Sequence, residues 1–108
     1  MPVQQMSPAE LSRLRAAGSA PVVLDVREPG ELALSALSDV VHIPMRLIAS
    51  RALQELDPDA PLVVMCHHGV RSMAVANWLD QQDFSEVWNL TGGIDRYAVD
   101  VDPSIGRY

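Results

Sequence analysis

Lysine is absent from this chain; all eight basic residues are arginine. Schiff-base chemistry on a side chain is thereby excluded. Fourteen carboxylates against those eight arginines leave a formal net charge of −6 at pH 7. Such a balance gives no clustered positive surface, so nucleic acid is not an expected partner, nor is a membrane surface reached by a basic helix face. Cysteine occurs once, at Cys66. No internal disulfide or Cys-x-x-Cys relay can form, and an oxidised or loaded Cys66 needs an external molecule to resolve it. No apolar run approaches membrane-spanning length. The opening residues Met1-Pro2-Val3-Gln4-Gln5 lack the basic and apolar segments of a signal peptide, so a cytoplasmic location is expected. Repeats and low-complexity segments are also missing. What remains is a chain of 108 residues, 48% apolar, suited to one α/β domain spanning residues 1–108.

The order of elements follows from local signals. Ser7-Pro8-Ala9-Glu10 reads as a capped helix start with a capping box, Leu11 and Leu14 supply its apolar face, and Gly18 ends it. Val22-Val23-Leu24 is a solidly apolar strand that runs into the polar group Asp25-Val26-Arg27-Glu28. A short helix is expected within Glu31 to Leu37, a strand from Val40 to Ile43 stopped by Pro44, and a helix from Arg46 to Leu56. The turn Asp57-Pro58-Asp59-Ala60-Pro61 resets the chain for the strand Leu62-Val63-Val64-Met65. A helix carrying Val75, Trp78 and Leu79 on one face comes next. It is followed by the strand Val87-Trp88-Asn89-Leu90 and by a short helix, with Ile94 and Tyr97, that opens at Thr91-Gly92-Gly93. The tail from Asp100 to Tyr108 is turn-like. Short apolar strands alternating with helices argue for a mainly parallel sheet with helices on both faces. Ligands in such folds bind outside the carboxyl ends of the strands. Both polar clusters, Asp25 to Glu28 and Cys66 to Arg71, lie at strand C-termini and should share one rim.

Cys66 is the candidate nucleophile. It closes an apolar strand and is followed by His67-His68-Gly69-Val70-Arg71-Ser72, where a helix begins. Free amide N–H groups at a helix start favour thiolate over thiol and attract anions. A lone cysteine can equally be a small buried hydrophobe, and the glycine and Arg71 tilt the reading toward function.

These segments resemble the signatures of a single-domain rhodanese, a sulfurtransferase-like module, over nearly the whole chain. Leu24-Asp25-Val26-Arg27-Glu28-Pro29 is similar to the first signature, His42-Ile43-Pro44 to the core of the second, Cys66 to Ser72 to the active-site loop, and Leu90-Thr91-Gly92-Gly93-Ile94 to the C-terminal signature. The resemblance implies a rhodanese-like α/β fold and, without a cofactor, sulfur transfer through a Cys66 persulfide. The donor would be a small molecule such as thiosulfate; the acceptor would be cyanide in an assay, or a thiol or protein thiol in the cell. His67, His68, Gly69, Val70, Arg71 and Ser72 would then line the substrate site. Loop amides forming a nest suit an anionic persulfide, Gly69 permits the turn, Arg71 offers a fork for an oxyanion, and Ser72 can cap the following helix.

Two other readings compete: a binding or regulatory module of the same fold without catalysis, and a Cys-dependent phosphatase or arsenate reductase. Dual-specificity phosphatases of the cell-cycle type use a loop one residue longer than the Cys-x4-Arg of Cys66 to Arg71, and the tighter cradle suits sulfur better than phosphate. The chain departs from the family pattern at Val41 before His42, at Met45-Arg46 after Pro44, and at Tyr97, where many members have Trp. These departures bear on donor and acceptor preference.

The remaining polar residues have simpler roles. Asp25 and Arg27 are expected to pair and support the rim, with Arg27 also free to meet substrate. His67 and His68 should point apart as neighbours do, and with only His42 elsewhere no metal set is expected. One of the two could lower the Cys66 pKa as an imidazolium. Trp78, Trp88, Met65 and Met73 read as packing residues.

Overall fold

The computed structural model describes residues 2–108 and contains one five-stranded sheet, all parallel, in the order β1-β5-β4-β2-β3. The strands are β1 (Gln4–Met6), β2 (Val22–Asp25), β3 (Val41–His42), β4 (Leu62–Met65) and β5 (Val87–Leu90). The helices are α1 (Pro8–Ala16), α2 (Pro29–Leu32), α3 (Ile48–Glu55), α4 (Val70–Gln81) and α5 (Gly93–Asp100). Short 3-10 turns occupy Met45–Leu47 and Pro103–Ile105.

The central strand β4 shows why helices cover both faces. All four of its side chains are buried, and they alternate between two cores. Leu62 and Val64 join Ile48 and Ala52 of α3 and Val75, Ala76 and Leu79 of α4. Val63 and Met65 point the other way, to Leu11 of α1 and to Ile94 and Tyr97 of α5. Cys66 continues this alternation. As the next even-numbered position it falls on the α4 face, directly under the start of that helix.

Local structure differs from the sequence expectation where short elements compete with turns. β1 was not expected: its three residues carry no apolar run, and it forms by pairing Gln4, Gln5 and Met6 with Trp88, Asn89 and Leu90 at the sheet edge. The helix expected within Glu31 to Leu37 is a single turn, Pro29–Leu32, started by Pro29 and by a reciprocal box between Glu28 and Glu31. The strand expected from Val40 to Ile43 is reduced to Val41–His42, and the helix expected from Arg46 starts as a 3-10 turn before α3. At α1, Ser7 Oγ accepts the Glu10 N–H at 3.1 Å, as the capping signal implies. Trp78 and Trp88 are half-buried at the margins of the two cores rather than inside them. Met65 is fully buried, whereas Met73 is only partly so. The tail does not fray: Pro103–Ile105 packs on α5, and the chain returns to the C-terminal rim of the sheet.

Candidate active site

The two polar clusters meet at that rim because β2 and β4 are in register, with Asp25 opposite Met65 and the Val26 N–H donating to Met65 O at 3.0 Å. Beyond β4 the chain turns through Cys66 to Gly69, and α4 begins at Val70. Gly69 makes this possible at φ +101°, a left-handed value that L side chains rarely adopt. A Cβ there would make only ordinary contacts, the nearest being Gly92 N at 3.4 Å, so the backbone angle rather than space is what calls for glycine.

Cys66 is 1% exposed, and its sulfur sits in a cup of donors. The Gly69 N–H donates to Sγ at 3.0 Å and Ser72 Oγ lies 3.3 Å away. Burial pushes the thiol pKa up. The Ser72 hydroxyl and the backbone amides of Ser72, Gly69 and His68 push it down and prevail, so the sulfur is more acidic than an ordinary cysteine. Ser72 is therefore not the helix cap that the sequence suggests. It lies in the first turn of α4, wholly buried, with Oγ 2.6 Å from Asn89 Oδ1. Asn89 is held in that orientation by Nδ2, which donates to Gln5 Oε1 at 3.2 Å and to Gly69 O at 3.4 Å.

The start of α5 fixes the loop from behind. The N–H groups of Ile94 and Asp95 donate to Cys66 O at 2.9 Å and His67 O at 3.1 Å. That approach requires Gly93, because a Cβ there would come within 2.6 Å of Cys66 O and 2.4 Å of His67 O. The Thr91-Gly92-Gly93-Ile94 segment is thus a clamp on the cysteine loop.

Arg71 does not stand free. Its Nη1 and Nη2 each donate to one oxygen of Glu31 at 2.8 Å, a fork closed on a carboxylate forty residues away in sequence. The hydrogen bonds from Arg71 hold the Glu31 carboxyl at about 2. Glu31 also accepts the Glu28 N–H and the Tyr108 hydroxyl, both at 2.8 Å.

Asp25 and Arg27 are both fully buried and form a closed pair: the Asp25 carboxylate accepts Arg27 N–H at 3.1 Å, Nε–H at 3.0 Å and Nη2–H at 2.7 Å. Arg27 Nη1 donates to Tyr108 Oη at 3.1 Å and to Glu31 O at 3.3 Å, and His42 Nε2 donates to Arg27 O at 2.7 Å. Every polar hydrogen of the guanidinium edge named here points into protein.

The two neighbouring histidines do not point apart. Their rings stack at 3.8 Å, and Tyr108 stacks on the other face of His67 at 3.8 Å and 6°. Desolvation, followed by the neighbouring His68, lowers the His67 pKa, and among the described residues its buried Nε2 has no hydrogen-bond partner. Burial between two rings thus disfavours the imidazolium form of His67. His68 and Val70 are exposed, Val70 at 78%. The donor atoms of His67, His68 and Asp95 lie within 4.8 Å of one another. However, Asp95 already receives Arg107 on both oxygens, at 2.9 and 3.2 Å, and we assign no metal there.

Sequence reasoning missed Glu31, Asn89, Tyr108 and Gln5. For Glu31 a signal existed, the spacing Glu28-x-x-Glu31 at a helix start. The other three arrive through strand pairing and the returning tail, which no local pattern reveals.

Three comparisons bear on this arrangement. A family model described as Rhodanese-like domain matches residues 7–100. The chain is 36% identical over 106 residues to "Thiosulfate sulfurtransferase GlpE" of Pseudomonas aeruginosa, covering 96% of this chain and 94% of that protein. It is 43% identical over 89 residues to "Rhodanese-like/PpiC domain-containing protein 12, chloroplastic" of Arabidopsis thaliana, covering 80% of this chain but only 30% of that longer protein. Among solved structures, a rhodanese-related protein from Thermoplasma volcanium superposes with a TM-score of 0.81 at 28% identity, covering 91% of this chain and 93% of the other.

Proposed function

The chain belongs to the rhodanese-like domain family, and on that footing we propose that it is a sulfurtransferase that carries sulfane sulfur on Cys66. The observation that supports this most directly is the donor cup around Sγ, with Gly69 N–H at 3.0 Å and the Ser72 hydroxyl at 3.3 Å. These donors stabilise negative charge on sulfur without a metal. Cys66 thiolate attacks the outer sulfur of a donor. With thiosulfate, the S–S bond breaks, sulfite leaves with the bonding pair, and a Cys66 persulfide remains. An acceptor nucleophile then attacks the terminal sulfur: cyanide gives thiocyanate, a thiol gives a persulfide, and Cys66 returns as thiolate. Charge and electrons balance in each half, so no cofactor is called for.

In this reading the remaining residues have supporting roles. Amides from His68 to Ser72 hold the anionic sulfur. His67 is a wall of the pocket, stacked between His68 and Tyr108. Asp25 and Arg27 brace the rim from inside, which removes Arg27 from direct contact with a donor. Substrates reach the loop from its exposed side, past His68 and Val70.

Thiocyanate formation from thiosulfate and cyanide, compared between wild type and Cys66→Ala, tests the proposal. Activity confined to wild type is expected. Activity retained in Cys66→Ala would sink it, and so would a folded wild-type protein that takes up sulfur from no donor, since a binding module behaves in that way. Hydrolysis of an aryl phosphate dependent on Cys66, in place of sulfur uptake, would move the assignment to a phosphatase.

A further inference from the structure

Arg71 is the residue that the sequence offers as a clamp for an anionic donor, yet the two nitrogens that would form the end of that clamp already hold Glu31. Glu31 is fixed on its other sides by the Glu28 N–H and the Tyr108 hydroxyl, and Arg27 Nη1 holds that hydroxyl in turn. Exchange of Glu31 for a passing anion therefore breaks a connected set of hydrogen bonds rather than one exposed ion pair. The other arginines around the rim are matched in the same manner: Arg27 with Asp25, Arg46 with Glu28, and Arg107 with Asp95. The mouth of the site thus presents paired charges on a chain of net charge −6. Thiosulfate, a dianion, must either displace Glu31 or approach without a free counter-charge. A thiol persulfide on an uncharged or cationic carrier needs neither.

We propose that Glu31 is a specificity-determining residue: by occupying Arg71 it biases Cys66 toward sulfane sulfur carried as a thiol persulfide, R–S–SH, on an uncharged or cationic carrier, and away from dianionic donors. The loading step is Cys66–S⁻ plus R–S–SH giving Cys66–S–SH plus R–S⁻. The S–S bond of the carrier breaks, the carrier thiolate leaves with the electron pair, and no external oxidant or reductant takes part. The reaction rests on the sulfur-transfer reading of the preceding section, whereas the charge at the mouth can be measured without it.

First-turnover loading of Cys66, followed by intact mass, is the readout, with thiosulfate and cysteamine persulfide as donors. In wild type, raising the salt concentration should leave thiosulfate loading unchanged or faster and slow loading from the cationic persulfide. A steep fall of thiosulfate loading with salt would mean that Arg71 attracts the anion, which overturns the proposal without any variant. Glu31→Gln keeps the shape and removes the charge. It should raise kcat/KM for thiosulfate on the order of tenfold at low salt and lower it for cysteamine persulfide. Unchanged or reduced thiosulfate kcat/KM in a folded Glu31→Gln protein refutes the selection. A parallel measurement uses methanethiosulfonate reagents that differ only in charge, sulfonatoethyl against trimethylammonioethyl, reacting with Cys66. Glu31→Gln should shift their rate ratio about tenfold toward the anion. An unshifted ratio overturns the charge role even if sulfur transfer is intact. A shifted ratio with no loading from either donor overturns the sulfur-transfer reading and donor selection together, while locating the failure in the chemistry.

Discussion

Ser72→Ala should make Cys66 markedly less reactive at neutral pH, and the size of the effect follows from a competition for one proton. The Ser72 hydroxyl carries a single hydrogen but faces two acceptors, Asn89 Oδ1 at 2.6 Å and Cys66 Sγ at 3.3 Å. While the sulfur is a thiol, the shorter contact to Asn89 holds the proton, and the thiol can donate to Oγ. Once the sulfur is ionised, the hydroxyl must turn to it and leave Asn89. The gain is a hydrogen bond to a charged group, about 1.5–3 kcal/mol, and the loss is a neutral one, about 0.5–1.5 kcal/mol. The difference of about 1–1.5 kcal/mol corresponds to roughly five- to tenfold in the thiolate population. Iodoacetamide alkylation of Cys66 against pH measures this. Ser72→Ala should react about five- to tenfold more slowly near neutrality and approach the wild-type rate at alkaline pH, where both sulfurs are ionised. Asn89→Leu should act in the opposite direction, because it releases the hydroxyl for the sulfur alone. In the Ser72→Ala background Asn89→Leu should lose most of its effect, since Asn89 then bears on the sulfur loop only through its Nδ2 hydrogen bond to Gly69 O. Other charges near the sulfur, notably Arg71 with its Glu31 partner, are common to all four proteins and cancel in the comparison. Equal or faster alkylation of folded Ser72→Ala at neutral pH would refute the argument. So would an Asn89→Leu effect that persists at full size without Ser72.

Asp25→Ala leaves the fully buried Arg27 guanidinium without its carboxylate and should cost about 3–5 kcal/mol, read as a lowered urea midpoint. Replacing both partners with apolar residues should recover part of that loss, because the penalty arises from the orphaned charge. Acid should weaken the fold through Glu31. Its carboxyl stands at about 2 in the folded chain, below the ordinary 4.5, so its stabilisation is complete above about 4.5 and is lost as pH falls toward 2. Urea unfolding between those pH values should show a shallower loss of stability for Glu31→Gln than for wild type, and parallel curves would contradict the assignment.

Much of the fold was legible because its signals are local. Four of the five strands are marked by runs such as Val22-Val23-Leu24 and Leu62-Val63-Val64-Met65, whose unbroken apolar character means burial on both faces. The helix starts at Ser7 and after Gly69 carry their own capping or turn residues. From this alternation came the parallel sheet, helices on both faces, and two polar clusters at one rim. Cys66 was legible for the same reason, since its place at a strand end follows from the run before it. β1 was not, because Gln4-Gln5-Met6 becomes a strand only by pairing with β5.

What the linear chain alone determined is therefore the order of the elements after β1, a parallel sheet with helices on both faces, and the place of Cys66 at a strand end. The tertiary structure decided which partners the functional side chains keep. It closed Arg71 on Glu31 where a free anion clamp was expected, set Ser72 between sulfur and Asn89 rather than at a helix cap, and stacked Tyr108 on His67. Each of these contacts joins positions that are seventeen to forty-one residues apart, apart from the six that separate Ser72 from Cys66. Hydrogen bonds and ion pairs are selected by distance in space, and periodicity along a chain carries no information about which carboxylate or amide arrives at a given guanidinium or hydroxyl.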